Sequence, residues 1–201
     1  EEARRVKLIY NKNVLIDMTR GVQAILEVIE MIKEAFREAM NEGPLAKENC
    51  LKVKVKLMDA KLHEDAIHRG PAQVIPAVRR AIREAMVLSK AYILEPKQII
   101  RIDVPSEELG NAMKQVTQRR GQVLDVGEER GSSIIKAKVP VAEMFGFNSE
   151  LKSATGGRGF YSLIDIVYEP LPAELQEKVI NEIKKRKGIT TKEEDWFLIL
   201  K

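Results

Sequence analysis

His63, Glu64, Asp65 and His68 crowd into one short stretch of this chain. Groups that titrate or ligate near neutrality, set this close, suit either general acid–base catalysis or the holding of a metal ion. The spacing weakens the metal case. A helical metalloprotease site needs His-Glu-x-x-His, with the histidines one turn apart, whereas these are five positions apart and would diverge by about 140° around a helix. His63 and His68 are the only histidines and Cys50 the only cysteine, so a four-ligand structural zinc set and an internal disulfide are both excluded. A small metal-dependent enzyme using His63, Asp65 and His68 therefore ranks below a loop that presents these groups to a partner. Taken alone, two histidines in a polar loop need no task at all.

The segments on either side lift the loop above that default. Residues 51–57 alternate, with Leu51, Val53, Val55 and Leu57 on one face and Lys52, Lys54 and Lys56 on the other, which predicts a half-buried strand with a basic outer side. A helix is expected from Pro76, burying Val78, Ala81, Ile82, Ala85 and Met86, with Arg79, Arg80 and Arg83 turned elsewhere. Gly70-Pro71 and Pro76 restrict the return path of the chain. A stiff tip between a lysine strand and an arginine helix suits insertion into an RNA site better than catalysis. A solvated helix face accounts for each arginine singly; only their coincidence with the lysines favours RNA.

The rest of the chain supplies the scaffold. Apolar residues at Val22, Ile25, Leu26, Ile29, Ile32, Phe36 and Met40 predict an amphipathic helix stopped by Gly43-Pro44. After Tyr92 the composition changes: Leu94-Glu95-Pro96 reads as a connection into a strand over 98–104, and a domain boundary is placed there. A helix from Pro105 carrying Leu109, Met113 and Val116 follows, then strands over 122–126 and 133–139 around a turn at 127–131. A short helix over 141–155 and a strand over 160–168 complete the order strand, helix, strand, strand, helix, strand of a ferredoxin-like domain. Pro170 and Pro172 open a last helix with the stripe Leu175, Val179, Ile180 and Ile183, which must dock on something already folded. Its basic last turn, Lys184 to Lys187, is accounted for by the helix dipole. Trp196-Phe197-Leu198-Ile199-Leu200 reads as a packing segment.

Composition bounds the function. The 201 residues suffice for two modest domains; 44% are hydrophobic and 32% charged. No apolar run approaches the ~20 residues of a membrane helix. A net charge of +4, from 34 basic and 30 acidic residues, leans mildly towards anionic partners. The lone cysteine points to a reducing, cytoplasmic setting. Glu1-Glu2-Ala3-Arg4-Arg5 is neither an initiator start nor a secretory leader, so an excised piece is expected. Gly156-Gly157-Arg158-Gly159 is only superficially a phosphate loop, because Gly-x-x-x-x-Gly-Lys-Ser/Thr occurs nowhere in the chain.

Residues 62–73, Leu-His-Glu-Asp-Ala-Ile-His-Arg-Gly-Pro-Ala-Gln, resemble the domain IV tip loop of the elongation factor 2 family, the archaeal and eukaryotic translocases. Pro71-Ala72 is similar to the archaeal version, where eukaryotic members carry a glycine run. A second match, Phe145-Gly146-Phe147 through Leu151, Thr155-Gly156-Gly157 and Phe160, resembles domain V. The resemblance implies an α+β chain. Residues 1–93 would be an incomplete ribosomal protein S5 domain 2-like domain with its tip at 62–73. Residues 94–170 would be the ferredoxin-like domain, and 171–201 a terminal helix and tail returning to the first. It implies that His68 is the histidine converted to diphthamide and ADP-ribosylated by diphtheria-type toxins, with His63, Asp65, Ile67, Arg69 and Gly70 shaping the loop or meeting the decoding centre. Ribosomal RNA, transfer RNA, messenger RNA and the diphthamide-synthesis enzymes are the implied partners of a monomeric, non-catalytic chain without a cofactor of its own. GTP and Mg would belong to an amino-terminal domain elsewhere in the parent. A free-standing RNA-binding module is the alternative.

Overall fold

A computed structural model describes residues 2–22 and 24–189, which fall into two compact units. The first comprises residues up to Tyr92 together with the helix that begins at Ala173; the second is Ile93–Pro172. Both mix helices with a sheet, giving an α+β protein.

In the first unit, β1 (Val6–Tyr10) and β2 (Asn13–Asp17) form a hairpin. Asn11 and Lys12, at φ 46° and 62°, supply the doubly left-handed turn that matches strand twist. The chain crosses through α1 (Ile25–Asn41) to β3 (Lys54–Leu57), which lies parallel to β2, so the sheet order is β1-β2-β3. Helix α2 (Pro71–Leu88) then packs on α1. Leu15, Val28, Ile32, Phe36, Ala39, Met40 and Ile82 form the buried core, with Leu62, Val74, Val78 and Met86 against it.

Several details of this unit differ from the sequence expectations. Helix α1 begins at Ile25 rather than Val22, behind a left-handed Ala24, and it buries Val28, Ala35 and Ala39 while Leu26 is 77% exposed. Strand β3 is shorter than 51–57 because Lys52 sits at φ 59°, outside the extended region. The side chain of buried Asn13 holds that stretch instead: its Nδ2 donates to Cys50 O at 2.9 Å and its Oδ1 accepts from Val53 N at 2.9 Å. Helix α2 starts at Pro71, not Pro76. Proline suits the first position because that N–H is unsatisfied in any helix, and Pro76 falls inside. With the helix so phased, Val74, Val78, Ile82 and Met86 make an i,i+4 stripe towards the core, and Ala81 and Ala85 are exposed.

The second unit runs β4 (Leu94–Pro105), α3 (Leu109–Gln118), β5 (Gln122–Glu129), β6 (Ser132–Pro140), α4 (Phe147–Ala154) and β7 (Phe160–Pro170). Its antiparallel sheet has the order β5-β6-β4-β7, the ferredoxin-like arrangement that the element order predicts. Ile100, Ile102, Val104, Ala112, Val116, Ile135, Ala137, Val139, Phe147 and Leu151 are buried between the sheet and its two helices. Residues 94–96 belong to β4 rather than to a connection. Pro96 pairs with Tyr168 of β7, and pairing with β6 begins only at Lys97, so the missing N–H costs nothing on that side. The expected turn at 127–131 contracts to Arg130-Gly131, at φ 50° and 80°. The expected helix over 141–155 is broken by Gly146 at φ 74°, leaving a 3-10 turn, Val141–Glu143, before α4.

Helix α5 (Ala173–Lys187) belongs to the first unit, its apolar stripe half-buried. Lys187 Nζ donates to Ala46 O at 3.2 Å and to Lys47 O, and pairs with Glu48 at 2.8 Å, so this basic terminus docks the helix. The segment Trp196 to Leu200 lies outside the described residues. Among the described residues no helix is long and apolar enough to cross a membrane.

Candidate functional site: the loop between β3 and α2

The loop leaves β3 at Leu57, drops the half-buried Leu62 onto the core, and then turns outward. Asp65 shapes the tip: its Oδ1 accepts from Ile67 N at 3.0 Å and its carbonyl accepts from His68 N at 3.2 Å, which closes the 3-10 turn Ala66–Arg69. A short acceptor side chain two residues ahead of the amide is what this turn requires. Gly70 then hands the chain to α2, its carbonyl accepting from Gln73 N at 3.1 Å and Val74 N at 3.0 Å. As a result His63, His68 and Ile67 all face solvent, Ile67 with 79% of its surface exposed.

The two histidines meet edge to face, ring centroids 4.5 Å apart at 67°. His63 Nδ1 accepts from Asp65 N at 3.1 Å, which leaves Nε2 to carry the proton of the neutral ring. Arg69 turns inward. Its Nη1 donates to His63 O at 3.1 Å and Glu64 O at 3.2 Å, and its Nη2 to Glu27 Oε2 at 2.7 Å.

The flanking cations are interleaved with carboxylates. Lys54 and Lys56 both reach Glu2, and Lys52 stands exposed outside the strand. Arg79 pairs with Glu38 at 2.7 Å and Arg83 with Glu42 at 3.1 Å, two rungs between α2 and α1, while Arg80 pairs along its own helix with Glu84 at 2.9 Å. The basic flanks are therefore softened, although exposed ion pairs of this kind are weak enough to exchange partners. Sequence reasoning missed Glu2, Glu27, Glu38 and Glu42. The matched spacing of Glu38/Glu42 and Arg79/Arg83 was the signal available for two of them.

Among the described residues no three His, Cys, Asp or Glu side chains gather as metal ligands. Burial pushes the Cys50 thiol up to about 11, so it stays protonated at neutral pH. The glycine-rich turn at 156–159 does not fit a nucleotide phosphate. Thr155 Oγ1 accepts from Gly159 N at 2.8 Å, and Arg158 is held by Glu107 and, at 3.1 Å, by Glu108. No GTP site is built from these residues.

Residues 2–90 match the family model "Elongation factor G, domain IV", and residues 92–179 match "Elongation factor G C-terminus". The chain is 53% identical to elongation factor 2 of Methanocaldococcus jannaschii and 52% identical to that of Nanoarchaeum equitans, in each case over 94% of its own length.

The chain belongs to the elongation factor 2 family.

The relative from Methanococcoides burtonii agrees, with 48% identity over 94% of this chain. The chain spans about a quarter of the length of these relatives: 26%, 25% and 26%. The loop with His68 falls inside the domain IV match and the ferredoxin-like unit inside the C-terminal match.

Proposed function

We propose that this chain is the ribosome-facing part of an elongation factor 2 and that its tip loop enters the decoding region during translocation. The observation that carries the reading is the presentation of His68 and Ile67, side chains out, on a turn that Asp65 fixes from within. A loop that penetrates an RNA site needs that combination: a backbone with few conformations to lose on binding, and reactive or apolar groups facing outward. On this reading His68 is the residue converted to diphthamide and ADP-ribosylated by diphtheria-type toxins. His63, Asp65 and Gly70 shape the turn for the modifying enzymes and the ribosomal RNA, and Lys52, Lys54, Lys56, Arg79, Arg80 and Arg83 approach phosphates when their carboxylate partners release them. The tip helps carry transfer RNA and messenger from the A site to the P site and hinders their return. The chain acts as a monomer in the cytoplasm. GTP and Mg serve the remainder of the factor, and no step here passes through them.

The test places His68→Ala and Asp65→Ala separately in the full-length factor and reads translocation rate, frameshifting and melting. The reading expects slower translocation or more frameshifting in both, with melting shifted by no more than a few degrees. Unchanged translocation and frameshifting in both variants would contradict it.

A further inference from the structure

Arg69 follows the exposed His68, yet its side chain is only 16% exposed, and its Nε is buried with no acceptor among the described residues. The guanidinium spends its donors inward, on the carbonyls of His63 and Glu64 and on the carboxylate of Glu27. A planar fork with fixed donor directions can hold two adjacent carbonyls and a carboxylate together; a lysine ammonium, a single point of charge, cannot copy that geometry. Glu27 lies in the first turn of α1, beside the fully buried Val28. The tip is therefore tied, across 42 residues of sequence, to a helix anchored in the core.

The contacts continue outward from that tie. The His63 and Glu64 carbonyls fix the backbone from which His63 presents its ring; Asp65 N donates to that ring, and the ring rests against His68 at 4.5 Å. Glu27 itself is 59% exposed, so as a stabilising ion pair it contributes little, and its removal leaves the fold standing. What its removal changes is the angle of the guanidinium on the two carbonyls.

We infer that Glu27 and Arg69 are positioning residues: a strut that sets the conformation in which the tip presents His68 to the enzymes that modify it. The inference rests on the proposed role of His68, and it moves Arg69 from an RNA contact to an internal brace.

The test expresses wild type, Glu27→Ala, Glu27→Gln and Arg69→Lys in the source organism as the full natural protein. Three quantities are read: the modified fraction of His68 by peptide mass, the melting midpoint, and amide hydrogen exchange at residues 63–68. Glu27→Ala and Arg69→Lys should lower the modified fraction several-fold and speed exchange by about tenfold, with melting nearly unchanged. Glu27→Gln, which keeps an acceptor oxygen for Arg69, should fall between Glu27→Ala and wild type. Full modification together with wild-type exchange in Glu27→Ala and Arg69→Lys would overturn the strut. An unmodified wild type would instead overturn the reading of His68, and exchange alone would then decide the strut: faster exchange in the variants upholds it, wild-type exchange overturns it.

Discussion

The tip loop and the ferredoxin-like unit are held together by opposite means. The unit from Ile93 to Pro172 buries ten core side chains between a four-stranded sheet and two helices, and its shape follows from removing apolar surface from water. Between His63 and Arg69 the loop buries no apolar side chain; Ile67, its one large aliphatic group, points outward. Its shape is written in polar contacts: Asp65 on Ile67, His63 on Asp65, and Arg69 on two carbonyls and Glu27. A core tolerates lost volume poorly but accepts apolar exchanges that keep its volume, whereas a polar clamp contributes little stability and depends on each atom. The difference separates what keeps this protein folded from what it presents to partners.

Phe147→Ala should give the largest effect. Phe147 is fully buried, meets Tyr161 edge-on at 5.0 Å and lies under the Arg119 guanidinium at 5.6 Å, so truncation should cost about 3–5 kcal/mol in denaturant unfolding. A cost under about 1 kcal/mol would break the comparison on the core side. Asp65→Ala should cost about 1 kcal/mol or less in stability and yet speed amide exchange at Ile67 and His68. A large loss of stability there would mean that the tip carries folding energy after all.

The smallest effect concerns pH. Hydrogen bonds from Lys138 and then Lys97 hold the Glu169 carboxyl below its ordinary value of 4.5. A carboxylate favoured in the folded state contributes stability above the unfolded value, and that contribution is lost as pH falls through the folded one. Glu169→Gln should therefore lower the melting temperature slightly at neutral pH, and the gap to wild type should close as pH falls below about 4.5, which flattens the acid limb of the variant. An unaltered acid limb would show that the surface network around β7 adds nothing.

Much of the ferredoxin-like order was legible because alternation in β6 and the stripe of α3 report burial directly. Boundaries were harder wherever glycine or proline has two uses. Pro76 reads as a helix start, but Pro71 takes the first position and Pro76 is carried inside. Gly146 sits within an apolar pattern that periodicity alone would continue, and its left-handed backbone ends that pattern. In the candidate site, the exposure of the loop follows from its polar local sequence. The edge-to-face meeting of His63 with His68 does not, because their five-residue spacing would part them on a helix and only the turn at Asp65 brings them together. Nor does the inward turn of Arg69, because Glu27 is 42 residues away and no local pattern links the two. The lysine and arginine flanks were legible as cations but not as ion pairs. Glu2, Glu38 and Glu42 reach them only through the tertiary fold.

The most direct measurement is the mass of the tryptic peptide from Leu62 to Arg69, taken from the protein made by its own organism. A mass increase localised to His68 and matching diphthamide is the predicted result, and it would place the functional chemistry on the exposed tip. An unmodified histidine in that peptide would contradict the account, leaving the tip a well-braced loop whose partner does not need His68.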